Sequence, residues 1–181
     1  MEKNNAENVM MKKYTSSEAA KLLRKLSEEH EALKRLENQC GTFTVSLDEK
    51  IEDVRPEYDF AEVQERLETL ENRVRRVKHG INIFNTVTIV PGFDMTIDQM
   101  LVYIPQLSEK KRRLTTLAEQ LPKERIAASS YVGRAIIEYR YANYDVAMAK
   151  VQLAAVSDEL SKAQTALDLV NNTVEMELPE W

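Results

Sequence analysis

The sequence predicts a mainly α fold, an antiparallel long-helix coiled-coil bundle with a small β-hairpin or sheet at one end. Three observations carry that reading. Apolar residues recur at three- and four-residue spacings through four long windows, and Thr or Asp caps stand in front of the first three. Charged residues make up 30% of the chain against only 4 glycines and 5 prolines, a balance typical of long helices. At 181 residues the chain can bury a core without staples, so one domain over 16–178 is expected behind a flexible N-terminal arm over 1–15.

Thr15 with Glu18 forms a capping box, and Ala19, Leu22, Leu26, Leu33 and Leu36 follow on one stripe, which predicts a first helix over 16–39. Gly41 stands where a helix C-terminal glycine belongs. The alternating Thr42-Phe43-Thr44-Val45-Ser46-Leu47 then predicts a strand or hairpin over 42–54. Asp59 and Glu62 cap a second helix whose stripe runs Phe60, Val63, Leu67, Leu70, Val74, Val77, Ile81 and Phe84 without a break. Gly80 inside it costs about 1 kcal/mol relative to alanine, which close approach by another helix or a ligand would explain, and packing is the preferred reading.

The segment 86–90 and the following Pro91-Gly92 predict a short extended piece ending in a turn. Thr96 with Gln99 opens a third helix carrying Ile97, Met100, Ile104, Leu107, Leu114, Ala118 and Leu121, with Pro105 as an expected kink and Lys111 on a nominally apolar position. Leu121-Pro122 ends it. The β-branched and aromatic stretch over 135–144 predicts a second β segment, able to pair with 42–54. A fourth helix starts near Asp145 with Val146, Ala149, Leu153, Val156, Leu160, Ala163, Leu167 and Val170 as its seam.

A net charge of −5 and a pI near 5.3 make nucleic acid or an anionic membrane a poor principal partner. The basic runs over 73–78 and 110–113 read as solvated faces, since Glu62, Glu65, Glu68 and Glu71 precede the first on its own helix. One cysteine, Cys40, cannot form an intramolecular disulfide, and no apolar run approaches the ~18 residues of a membrane span, so a cytoplasmic protein is expected. His30 and His79 sit in no metal-ligand spacing, and no GxSxG, P-loop or GxGxxG occurs; neither a metal, a cofactor nor an enzyme activity is expected.

Once the stripes are assigned to helix seams, the remaining polar residues collect at helix ends. Asn82, Asn85 and Thr86 close the second helix, and Asn171, Asn172 and Thr173 close the fourth, at the same pole of an up-down bundle. Amides and hydroxyls suit recognition of a base edge, a ribose or a carboxamide. The alternative is that these residues end helices and fix register. At the opposite pole Tyr139 and Tyr141 share one face of a strand and Arg140 takes the other, a set able to stack on a ring or clamp a phosphate. The alternative for Arg140 is a structural salt bridge with Asp48 or Glu49.

Ile81-Asn82-Ile83-Phe84-Asn85, Tyr139-Arg140-Tyr141 and Asn171-Asn172-Thr173 together resemble the septicolysin-like family of uncharacterised small helical bacterial proteins. That family has an Ile-Asn-x-Thr-Asn segment ending a long helix, where Phe84 here replaces the threonine. The resemblance implies a coiled-coil architecture and assigns no activity. The expectation that follows is a non-enzymatic helical homo-oligomer whose polar helix ends bind a small polar or anionic, nucleotide-like ligand, in sensing or sequestration. A structural or adaptor coiled coil that binds a protein partner is the alternative.

Overall fold

The computed structural model describes residues 10–126 and 137–179. In chain order its elements are β1 (Met11–Thr15), α1 (Ser16–Cys40), α2 (Ile51–Val54), α3 (Phe60–Val87), β2 (Ile89–Val90), β3 (Met95–Thr96), α4 (Ile97–Ala118), β4 (Lys123–Ile126), β5 (Glu138–Tyr141), α5 (Val146–Thr173) and β6 (Glu175–Pro179). The chain is mainly helical with small two-stranded antiparallel sheets, β1–β6, β2–β3 and β4–β5. It divides into two compact units, residues 1–87 with 169–181, and residues 88–168, where one domain was expected.

In the first unit, α1 and α3 pack antiparallel. Their register is marked by His30 Nε2 to Glu71 Oε1 at 3.2 Å and by Gln64 Nε2 donating to Glu37 Oε1 at 2.7 Å. Thr15 caps α1 as its spacing predicts: its hydroxyl accepts from the Glu18 N–H, and its own N–H donates to the Glu18 carboxylate. Those bonds to the charged form hold Glu18 below the usual carboxylate range. Asp59 likewise accepts the Glu62 N–H at 3.1 Å, and Ala19, Leu26, Leu33, Val63, Leu67, Leu70, Val77 and Phe84 are buried between and beside the two helices.

Two expectations are corrected in this unit. Residues 11–15 are not a loose arm; they form β1 and pair with β6 in the register Tyr14 to Met176 and Lys12 to Leu178. The cause is the alternation of Glu175-Met176-Glu177-Leu178, which turns Met176 and Leu178 inward while both glutamates stay in solvent. Leu178 fits over α3 where Gly80 has no Cβ: one built there would lie 2.3 Å from Leu178 Cδ2. Gly80 is therefore a packing glycine.

The second correction concerns 42–54, which forms no strand. Residues 43–46 have no regular structure, a turn follows at 47–49, and 51–54 is the short helix α2. Alternation alone does not make a strand when there is no ladder partner and no core beneath it; Phe43 and Leu47 are exposed. Gly41 stands at the C-cap of α1, as its place in the sequence predicts, with φ −66° and its N–H donating to the Glu37 carbonyl.

In the second unit, β2 and β3 form a hairpin around Pro91-Gly92, with Gly92 at φ 85° as the third position of a proline-glycine turn requires. Thr96 and Gln99 form the expected capping box of α4. Pro105 lies on the exposed side of α4, as does Leu101, whose carbonyl loses its helical donor to the proline, and Lys111 is exposed. The helix ends at Ala118, a few residues before Leu121. Asp145 Oδ1 accepts from the N–H groups of Ala147 and Met148 and opens α5. Tyr103, hydrogen-bonded to Glu159, and Tyr144, which donates to the Leu117 carbonyl at 2.9 Å, show that α4 and this part of α5 run antiparallel. The bond to Glu159 and partial desolvation raise the Tyr103 phenol above its ordinary value.

Of the expected 135–144 strand, 138–141 is β5, while residues 135 and 136 lie outside the described residues. Its partner is β4 and not the 42–54 segment. Lys123-Glu124-Arg125-Ile126 supplies a ladder close in sequence, with much less loop to close.

Candidate functional site

The nine residues expected to bind a ligand fall in both units, and each group is taken by itself. Asn82, Asn85, Thr86, Asn171, Asn172 and Thr173 belong to the first unit. The α1–α3 register sets Ser17 of α1 level with the end of α3, and Ser17 Oγ donates to Asn172 Oδ1 at 2.7 Å, so the two Asn/Thr segments do share one end of this unit. Two of their side chains are engaged locally. Thr86 donates to the Ile83 carbonyl at 2.8 Å and Thr173 to the Leu169 carbonyl at 2.7 Å, the habitual use of threonine in a last helical turn. Asn82 is exposed and Asn171 half-buried. Asn85 is the exception, since its Oδ1 is buried and has no hydrogen-bond partner among the described residues. Such an acceptor costs about 1–3 kcal/mol unless a donor reaches it.

Tyr139, Arg140 and Tyr141 belong to the second unit, on β5. The register pairs Lys123 with Tyr141, Glu124 with Arg140, and Arg125 with Tyr139. Directly paired residues share a face, so one side of the ribbon carries Lys123, Arg125, Tyr139 and Tyr141 and the other carries Glu124 and Arg140. The Lys123 ammonium lies 4.2 Å from the centre of the Tyr139 ring and 5.3 Å from that of Tyr141, and the two rings are 6.5 Å apart, tilted by 52°. Tyr139 is 46% and Tyr141 62% exposed. Arg140 sits 3.9 Å from Glu124, so its carboxylate neighbour is the cross-strand residue and not Asp48 or Glu49.

Sequence reasoning placed the two tyrosines on one face and missed Lys123 and Arg125. Both lie in a four-residue strand without an aromatic or β-branched run before its last residue, and only the pairing register reveals their face. At the β5 end of the ribbon is an open groove of about 300 Å³, lined by Leu117, Leu121, Arg140, Tyr141 and Tyr144 among others.

Elsewhere the charged side chains include ordinary ion pairs. Glu109 holds Arg112 in a two-bond fork at 2.9 and 2.7 Å, and Lys162 lies 2.7 Å from Asp158. Among the described residues, no three His, Cys, Asp or Glu side chains gather as a metal would need, and no helix is long and apolar enough to cross a membrane.

No family model matches the chain, and no curated protein matches it either. Among solved structures, the chain is similar to the crystal structure of a functionally unknown conserved protein from Corynebacterium diphtheriae, at 20% identity and a TM-score of 0.56 over 91% of this chain and 99% of that one. At this identity the likeness shows the fold alone.

Proposed function

We propose that the protein is a non-enzymatic helical oligomer, a coiled-coil bundle of the septicolysin-like kind acting in the cytoplasm. In this reading it senses or sequesters a small anionic, nucleotide-like molecule on the β4–β5 face. The observation that supports the reading best is Lys123 held over two half-exposed tyrosine rings, with Arg125 beside it on the same face. A planar ring stacks on Tyr139 or Tyr141 in place of the ammonium, a contact worth about 1–3 kcal/mol per base. The displaced Lys123 and the neighbouring Arg125 then meet the ligand's phosphate, and the guanidinium can hold it through two N–H donors at once. Binding without turnover is the activity that this reading assigns to the face.

Asn85, with its unpartnered buried oxygen, is a secondary candidate for a ligand or water donor at the end of the first unit. The adaptor alternative is favoured by a different observation, the apolar groove beside β5, where Leu117, Leu121 and Tyr144 are all exposed. Calorimetry separates the two readings. Titration with ATP, adenosine and inorganic phosphate is expected to give heat with ATP, less with adenosine and least with phosphate, because ring and anion are both read. Absence of heat from all three would sink the ligand reading.

A further inference from the structure

From the charge order along α3 we infer that a second copy of this chain docks against the open side of the α1–α3 pair, antiparallel and related by a two-fold axis passing Ala32 and Thr69. This deepens the oligomer part of the proposed function and rests on that part alone, not on the ligand.

Between α1 and α3 runs an open groove of about 650 Å³ with Ala32, Leu33, Leu36 and Leu70 along it and Glu65 and Arg73 at its side. Leu33 and Leu70 are buried, whereas Ala32, Leu36 and Thr69 are exposed, so the seam is covered on one flank less than a helix pair in a core would be. The contacts of His30 with Glu71 and of Glu37 with Gln64 set Ala32 of α1 level with Thr69 of α3. Both central residues are small, which lets facing helices approach closely.

The occupant is identified by charge. On α3, Glu62 and Arg76 each stand seven residues from Thr69, and Glu65 and Arg73 each stand four residues from it. Spacings of four and seven keep all of them on one helix face. An identical helix laid antiparallel with Thr69 on Thr69 therefore sets Glu62 against Arg76 and Glu65 against Arg73 twice over, while Arg66 meets neutral Asn72. The same axis sets Glu29 of α1 against Arg35, each three residues from Ala32. A parallel arrangement would instead oppose like charges along the whole face. Self-complementarity of this kind is what an isologous two-fold interface demands.

The test uses the full chain. Native mass spectrometry and light scattering are expected to find a dimer, a Glu62→Arg, Glu65→Arg variant to be monomeric, and addition of Arg73→Glu with Arg76→Glu to restore the dimer. Because Arg73 is half-buried, a second arm avoids it: in a Cys40→Ala background, Thr69→Cys is expected to give a chain-to-chain disulfide on oxidation, and Ser108→Cys on α4 is not. An unaltered chain that stays monomeric, a dimer indifferent to charge reversal, or no Thr69→Cys cross-link would overturn the assignment. ATP titration of the charge-reversed monomer reads the ribbon separately, so failure of one proposal is distinguishable from failure of the other.

Discussion

The two longer ribbons of this chain, β1–β6 in one unit and β4–β5 in the other, use the same local geometry to opposite ends. Both are antiparallel pairs adjoining long helices. In β6 the alternation turns Met176 and Leu178 inward, and Leu178 is 1% exposed against the notch left by Gly80. In β5 all four residues are exposed, and the side that could have been apolar carries Tyr139 and Tyr141 under Lys123. A two-stranded ribbon is marginal in water without a surface to cover. The first is therefore part of the core of its unit, while the second is held by cross-strand contacts and the chain around it, with its side chains left available. That contrast separates side chains committed to packing from side chains left exposed.

The largest expected effect breaks the buried ribbon. Leu178→Ala should destabilise by about 2–5 kcal/mol in chemical denaturation, because a filled site above Gly80 becomes a cavity; a loss below about 1 kcal/mol would mean that β6 merely lies on the surface. Gly80→Val approaches the same contact from the other side. Its new side chain meets Leu178 at once, and overpacking should cost about 1–3 kcal/mol despite the better helix propensity. Unchanged stability would show that β6 shifts away freely.

The smallest effect is on pH. Glu18 has its folded value depressed by the Thr15 N–H and hydroxyl. Its contribution is therefore complete above the ordinary carboxylate range and fades as pH falls through the depressed value. Thermal melts of the wild type against Glu18→Gln should converge on acidification; curves that stay parallel would remove the capping box from the account.

Much of the helical architecture was legible in the residues. Thr15 with Glu18, Asp59 with Glu62, and Thr96 with Gln99 each announce a start that local hydrogen bonds enforce, and those bonds need no tertiary information. The stripe from Val63 to Phe84 survives for a similar reason, since a period of three and four has only one helical reading. Strand pairing is different. Thr42 to Leu47 alternates well and forms nothing, whereas Glu175 to Pro179 alternates for five residues and pairs with the far end of the chain. Which strand has a partner is decided by the tertiary fold, and neither sequence contains that information by itself.

The candidate site follows the same rule. Tyr139 and Tyr141 could be set on one face by a period of two, but Lys123 and Arg125 join them only through the β4–β5 register. The Asn/Thr ends did come together in the first unit, yet Thr86 and Thr173 bond to carbonyls of their own helices, and Asn172 is met by Ser17 of α1, a partner that no spacing argument could foresee. Of these residues, Asn85 keeps a buried oxygen with no hydrogen-bond partner among the described residues.

The most direct measurement is a paired one, calorimetric titration with ATP and thermal unfolding of the wild type and a Tyr139→Ala, Tyr141→Ala double variant. Exposed positions of this kind usually change stability by no more than about 0.5 kcal/mol. The account predicts that the double variant melts close to the wild type and loses ATP binding by at least tenfold. A wild type that binds no ATP, or a double variant that unfolds as readily as Leu178→Ala, would contradict it.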